Sequence, residues 1–583
     1  MTANRRPPGG GLVTSPQAEA AYEGARVLDA GGNAADAVVA AAFVQGVVDP
    51  HRSGVGGFGC ATLCFRNAPP LAVDFHGRVG RLARADQWEN LFESAAPDGF
   101  GYNLRGKVND VGYQSIALPG MVAGVSAMHE RFGRLPWRDL VERAVPYAEE
   151  GFVVTPELAE FWLRPGLHGR VSTRDRLAST EAGRRICFKG DGAPYGAGEV
   201  FRQPELANTY RRIAREGSES FYRGELARRI ASDWQQHDCL VSREDLDEYT
   251  PETREPLRGR YRDFEVLTTP LPGGGVALLQ ALRLFEMRDA TRHGPGSPRS
   301  THEMARVLQA VWQDRLTHQG DPAFGGPEAE HFLTDEYLGH LLERSDQAPP
   351  EPVAAPADGT TQLTVIDGWG NVVSFAHSLG YNSGVFTPGL GFPYNNCMSG
   401  FDPRPGRSNS IASGKARSTA IAETVLLRDG EPRLALGSGG GARITAALAE
   451  VIVNVVDYGM SCAEAVVCPR FDAYGPGTLL LESRFPMPLV RDLERRGWNV
   501  VHSPRPFGVV GRVYAIEISP SGDVSPGVDP GAPGAAYRQL GGKEGTADRG
   551  TPSEEGASTP VPDGNAGRRE RRPPARKERR DAK

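Results

Sequence analysis

The feature that most constrains this chain is a junction. Residues 345–359 carry four prolines and no aromatic side chain, which reads as an exposed linker. Thr360-Thr-Gln-Leu-Thr-Val-Ile-Asp follows directly as an alternating strand. A threonine hydroxyl is a poor nucleophile until something takes its proton. The nearest base for Thr360 is its own α-amine, which exists only if the chain is cut before it. An α-amine has an unperturbed pKa of about 7.7–8.0, matched to neutral pH, so an N-terminal threonine holds nucleophile and base together. The same dipeptide also suits an ordinary strand opening, because β-branched residues favour a pleated, half-buried surface. Self-cleavage between Gly359 and Thr360 therefore has to be supported by the rest of the chain.

With 583 residues, 39% of them hydrophobic, the chain can bury a large core. Its net charge of −6 points to no nucleic-acid or membrane partner. The charge is unevenly spread. Residues 568–583 hold nine basic and three acidic side chains, a local excess of +6 that leaves the remainder near −12. From Gly541 onward the only aliphatic residue beyond alanine is Val561, and there is no aromatic. Burial there cannot offset ordering entropy, so 541–583 is expected to be a disordered, Arg-rich tail. Its arginines are open to an acidic surface, to RNA or simply to solvent.

The basic residues near Met1 have no apolar stretch behind them, which argues against a secretory signal. The most apolar run, Ala37–Val48, is too short to span a membrane. A cytoplasmic, soluble protein is expected. Seven cysteines are scattered without a second Cys or His pair at zinc spacing, so we expect buried thiols, no metal and no cofactor.

Residues 16–30 read as a helix ended by Gly31-Gly32, and Asn33 caps a second helix through Val48 with Asp36 in its first turn. That helix is apolar on all sides and should be buried. Strands are expected at 60–65, 71–75 and 264–269, helices at 276–287 and 301–317, and mainly helix between 119 and 250. After Thr360, residues 361–367 and 371–378 flank a Gly-Trp-Gly turn as a hairpin, and strands at 424–427 and 433–436 flank Arg-Asp-Gly. Hairpins dominate over βαβ units, which suggests a layered α/β (α+β) fold with antiparallel sheets.

Gly437-Ser-Gly-Gly-Gly-Ala lies between a strand and an apolar helix, 442–458. As a dinucleotide fingerprint it fails, because the acidic residue about twenty positions on, Asp457, ends the same helix instead of a following strand. No Gly-Lys-Ser/Thr follows, which excludes a nucleoside triphosphate loop. Two readings stay open: backbone N–H donors forming an oxyanion hole, or a tight strand-to-helix turn.

Taken together, these segments resemble the γ-glutamyltransferase (glutathione hydrolase) family of N-terminal nucleophile hydrolases. The stretches that carry the resemblance are Ala30-Gly-Gly-Asn-Ala-Ala-Asp-Ala-Val-Val-Ala-Ala, Val47-Val-Asp-Pro-His-Arg-Ser-Gly-Val-Gly-Gly-Phe-Gly, Leu118-Pro-Gly-Met-Val-Ala-Gly and Pro272-Gly-Gly-Gly, followed by Gly359-Thr-Thr-Gln-Leu-Thr-Val-Ile-Asp, Gly437-Ser-Gly-Gly-Gly-Ala-Arg-Ile and Asn454-Val-Val-Asp-Tyr-Gly. The resemblance implies a four-layer αββα sandwich, made as a precursor and cut before Thr360. The products would be a large subunit, 1–359, and a small subunit, 360–540, that remain associated. It implies Thr360 as nucleophile and Thr361 as the family's second threonine. Ser378 would be the hydroxyl supporting the nucleophile, and Gly440 and Gly441 the oxyanion pair.

The departures fall on glutamate recognition. The family's carboxylate-binding arginine is replaced by His76, an asparagine by Gly380, a glutamine by Cys397, an aspartate by Gly400, and a serine pair by Thr419-Ala420. A fixed guanidinium is not replaced by an imidazole that is mostly neutral. Thr361, Thr419, His76 and Arg78 are the candidate substrate contacts, with Arg78, Lys415 or Arg417 as a substitute cation. The expected function is self-processing followed by acyl transfer from a small-molecule substrate other than glutathione, to water or an amine, through an acyl-Thr360 intermediate. Two alternatives are hydrolysis of a C–C bond in making a modified proline unit of an antibiotic, and a processed but inactive scaffold.

Overall fold

The computed structural model describes residues 10–96, 101–167, 169–346, 359–475 and 477–540. Most of the expected linker and the whole expected tail, 541–583, lie outside the described residues.

Two antiparallel sheets face each other. The first runs, strand by strand, Ala535–Arg538, Leu12–Ser15, Thr360–Ile366, Val372–Ser378, Phe58–Cys64, Leu71–Phe75, Glu252–Arg254. The second runs Val524–Val528, Arg512–Ile518, Glu431–Gly439, Thr424–Arg428, Phe264–Thr268, Leu257–Tyr261. Leu12, Ile366, Val372, Leu267, Val425 and Ile516 form the apolar layer between them. The helices Ala18–Asp29, Ala34–Val48 and Met121–Phe132 pack on the outer face of the first sheet. Gly275–Met287, Pro298–His318 and Ile444–Val456 form the corresponding layer of the second. This is the αββα architecture.

The period-2 rule sorts the central strand between these layers. Thr361, Leu363 and Val365 face the helices, the latter two in the helix-side core. Gln362, Thr364 and Ile366 face the second sheet: Gln362 packs on Gly437, Thr364 Oγ1 donates to Tyr514 O at 2.8 Å, and Ile366 joins the inter-sheet core. Thr360 shares that parity, so it stands at one end of the space between the sheets.

The helix Ala34–Val48 is buried along its whole length, as its composition requires. Asn33 accepts from Ala35 N and Asp36 N while Asp36 accepts from Asn33 N, a capping box. Asp367, in the turn of the nucleophile hairpin, accepts from Ala34 N at 3.0 Å. A carboxylate at a helix N-terminus is favourable, and this contact ties the hairpin to the helix beneath it.

The expected strands and helices occur within a few residues of their predicted bounds, but Leu12–Ser15, inside the first sheet, and the edge strands Glu252–Arg254, Leu257–Tyr261, Val524–Val528 and Ala535–Arg538 are absent from the sequence reading. Several are short and lack clean alternation, and what makes them strands is a partner far away in the chain. Leu12, for instance, pairs with Arg538.

Glu423 lies fully buried between the sheets, where its Oε2 accepts from Gln362 Nε2 at 2.7 Å and from Ser374 Oγ. Burial is the main influence and pushes its carboxyl from 4.5 up to about 8, against those hydrogen bonds. The folded state thus keeps a proton that the unfolded chain gives up. This stabilisation is complete below pH 4.5 and is lost as pH rises through about 8. Glu423→Gln should flatten the decline in urea stability across that window by on the order of a few kcal/mol. An unchanged pH profile in the variant would remove Glu423 as the cause.

Candidate active site

Thr360, Ser378 and Phe58 are directly opposite one another on three adjacent strands. Opposed residues in antiparallel ladders project from the same face, so the three side chains form a row across the mouth of the sandwich. Thr360 is 7% exposed and Ser378 2%.

The Ser378 hydroxyl is the hub. It accepts from Thr360 Oγ1 at 3.3 Å and from Gly380 N at 2.9 Å, and it donates its single proton to Gly359 O. One hydroxyl thereby bridges a threonine oxygen and the carbonyl of the preceding peptide bond. Gly359 must be small here, because a Cβ would lie 2.3 Å from Gly380 O.

The glycine loop closes on the same point. A Cβ at Gly439 would lie 2.2 Å from Thr360 O. Gly440 and Gly441 have φ of +152° and +59°, and a Cβ on Gly440 would meet Gly511 Cα at 2.6 Å. Both positions need glycine for backbone conformation and the first also for close approach. Asp457, the acidic residue weighed for a ribose, pairs with Arg262 at 2.9 Å and Tyr261 Oη at 2.6 Å.

Thr361 points the other way. Its Oγ1 donates to Gln17 Oε1 at 2.9 Å and accepts from Gln45 Nε2 at 3.1 Å. Gln17 in turn donates to Asp49 Oδ2 at 2.8 Å. This network leads into a cavity of about 110 Å³ beside Thr360, lined by Gln17, Asp49, Arg52, Glu157 and Arg512 among others. Arg52 and Arg512 both reach Glu157 Oε1, at 3.0 and 2.7 Å. Burial pushes the Asp49 carboxyl up, opposed chiefly by Arg52. None of these charged residues was anticipated, because each reads singly as a surface charge.

His76 is held from both ends: Nδ1 lies 2.7 Å from Asp74 Oδ1 and Nε2 3.0 Å from Thr419 Oγ1. Burial alone would raise the Asp74 carboxyl, but His76 and Arg254 hold it below the usual carboxylate range. Arg78 lies elsewhere, pairing with Glu252 and lining a separate hollow with Asp245 and Glu248. Lys415 is buried and donates to Ser408 O at 2.7 Å. Arg417 is 2% exposed and stacks 4.9 Å from the centre of the Phe58 ring. Of the three candidate cations, Arg417 is the one set over the row that contains Thr360.

The gamma-glutamyltranspeptidase family profile matches residues 20–538. The chain belongs to this family. It is 32% identical over 535 residues to the Acylase ACY 1 proenzyme of Pseudomonas sp. (strain V22), covering 90% of this chain and 93% of that one. It is 28% identical over 543 residues to the glutathione hydrolase proenzyme of Escherichia coli (strain K12), covering 89% and 90%. The cephalosporin acylase of Bacillus halodurans superposes with a TM-score of 0.80 at 27% identity, over 91% of this chain and 96% of that one. The fold is that of the N-terminal nucleophile hydrolases, and the chain is an enzyme of the hydrolase and acyltransferase kind found in this family. Among the described residues no helix is long and apolar enough to cross a membrane, and no three His, Cys, Asp or Glu side chains are grouped to hold a metal ion.

Proposed function

We propose that the chain cuts itself between Gly359 and Thr360, and that Thr360 then serves as the nucleophile of an amide hydrolase or acyltransferase whose substrate is not glutathione. The observation that carries this reading is the Ser378 hydroxyl, which accepts from Thr360 Oγ1 while donating to Gly359 O. Thr360 Oγ attacks the Gly359 carbonyl carbon as Ser378 stabilises the developing oxyanion. The C–N bond breaks, the hydroxyl proton passes to the departing nitrogen, and Gly359 is left as an ester on Thr360. Water cleaves that ester, freeing the Gly359 carboxyl and the Thr360 hydroxyl beside the α-amine already released. In turnover the amine acts as base, Gly440 and Gly441 supply N–H donors, and water or an amine resolves acyl-Thr360.

The first sheet would hold the two fragments together. Strand Thr360–Ile366 is hydrogen-bonded to Leu12–Ser15, and Val372–Ser378 to Phe58–Cys64. Separation would break two central ladders. Denaturing electrophoresis with N-terminal sequencing should give a small fragment beginning Thr-Thr-Gln-Leu. Gly359→Ala, which forces the new methyl against Gly380 O, should slow its appearance about tenfold or more by displacing the carbonyl from Ser378. Cleavage at the native rate would mean that this carbonyl is not the reacting group.

The substrate reading rests on lost polarity. Both ring nitrogens of His76 are taken, and Gly380, Cys397, Gly400 and Ala420 offer no side chain suited to an ammonium or a carboxylate. Release from a γ-glutamyl anilide should therefore be feeble, and robust release would overturn this half of the proposal. The relatives include both an acylase and a glutathione hydrolase, so the family accommodates more than one acyl donor.

A further inference from the structure

Two residues along from Thr360, a buried polar cluster joins the two sheets. Gln362, on the same strand face as Thr360, donates to Glu423 Oε2 at 2.7 Å. Its side chain rests on Gly437, where a Cβ would lie 2.2 Å from Gln362 Nε2. Gly437 belongs to the strand Glu431–Gly439, which runs on into Gly440 and Gly441. Ser374, on the strand of Ser378, reaches both Glu423 Oε2 and, at 3.0 Å, Leu436 O of that second-sheet strand. The Glu423 backbone is fixed as well: its N–H donates to Thr269 Oγ1 at 2.9 Å, and its carbonyl accepts from Thr62 Oγ1 at 2.8 Å. Gln362, Ser374 and Glu423 are all fully buried.

Ser374 has one hydroxyl proton and two acceptors within reach. With Glu423 ionised, the proton goes to the carboxylate and Leu436 O loses that donor. With Glu423 neutral, the acid donates to Ser374 Oγ, and the serine proton goes to Leu436 O. Neither Glu423 Oε1 nor Gln362 Oε1 has a donor among the described residues, so the cluster is short of protons and the neutral acid suits it. No arginine, lysine or histidine among the described residues pairs with Glu423. Its titratable neighbour is the Cys60 thiol, which burial and Glu423 push well up, so the thiol stays neutral. Burial holds Glu423 itself neutral up to about 8. We propose that Glu423 is a positioning residue: through Ser374 and Leu436 it sets the hairpin of Thr360 and Ser378 against the strand that delivers Gly440 and Gly441. Oxyanion donors work only where they meet the developing charge, and these bonds between the sheets set their distance from the nucleophile. Thr360 as nucleophile and the glycine pair as donors are presupposed. The Thr360 α-amine must lose its proton to act as base, so its titration raises turnover with pH. Glu423 acts in the opposite sense, its ionisation lowering turnover as pH rises through about 8.

The test uses the purified, self-processed protein and p-nitrophenyl acetate, an activated ester that asks little of a recognition site. Release by Thr360→Ala is subtracted, and circular dichroism checks folding at each pH. In the native enzyme kcat should fall about three- to tenfold between about pH 7.5 and 9.5, the worth of one hydrogen bond, with KM little changed. Glu423→Gln offers Ser374 an N–H at every pH, so its kcat should stay within about twofold over the same range. Ser374→Ala removes the tie outright and should give a lower rate with no alkaline fall. A native profile without that fall overturns the proposal, as does a fall that Glu423→Gln retains. If Glu423→Gln fails to fold, Ser374→Ala decides, and a fall that persists in it overturns the proposal. A folded native enzyme that releases no more than Thr360→Ala at any pH would instead break the nucleophile reading, so the two failures are distinguishable.

Discussion

Thr360→Ala should remain one polypeptide of 62.7 kDa, where the native chain yields a small fragment of about 24 kDa for residues 360–583 at roughly 110 Da each. The reason is local. The Gly359 carbonyl already receives the Ser378 proton, so the substitution removes the attacking atom and leaves the carbonyl poised. Alanine keeps the Cβ and the strand pairing with Ser378, so the fold should survive with little loss of melting temperature. Turnover of any acyl anilide should fall by at least about 10⁴-fold, because both nucleophile and freed amine are missing. Thr360→Ser keeps a hydroxyl at the same place and should process, though more slowly. Two fragments from Thr360→Ala, cut at the same bond, would remove the proposed chemistry entirely.

What was legible in the sequence was what local chemistry specifies. Asn33 with Asp36 announces a capped helix, and the helix beyond it is apolar on every face because it lies between a sheet and other helices. The Gly-Trp-Gly turn between alternating segments announces the hairpin that carries Thr360 and Ser378. Read by itself the glycine loop fits either a turn or a donor pair, the family resemblance favours the donor pair, and its close approach to Thr360 O comes only from tertiary packing.

Other parts were illegible because they are made by pairing over long separations. Nothing near Phe58 says that it will stand opposite Ser378, and nothing near Gln17 places it against Thr361 Oγ1. The three candidate cations were indistinguishable as letters. Folding sends Arg78 to an exposed pair with Glu252, ties Lys415 to a backbone carbonyl and lays Arg417 over Phe58. Gly400 reads as a lost aspartate until the structure shows a guanidinium side chain filling its space.

Ser378→Ala should slow self-cleavage by about 10²–10³-fold, the range found when one donor to a developing oxyanion is removed. The hydroxyl has three partners, and each loss has its own signature. Without its proton the Gly359 carbonyl is no longer polarised, and without its oxygen Thr360 Oγ1 loses its acceptor. Gly380 N–H also loses its partner, and a buried unsatisfied donor costs about 1–3 kcal/mol. Stability should therefore fall modestly while the cleavage rate collapses, and a time course of fragment formation beside a urea melt separates the two. Ser378→Thr restores the hydroxyl and should bring back most of the rate. Cleavage within a few-fold of native in a folded Ser378→Ala protein would mean that the hydrogen bond to Gly359 O is structural, and that another group stabilises the oxyanion.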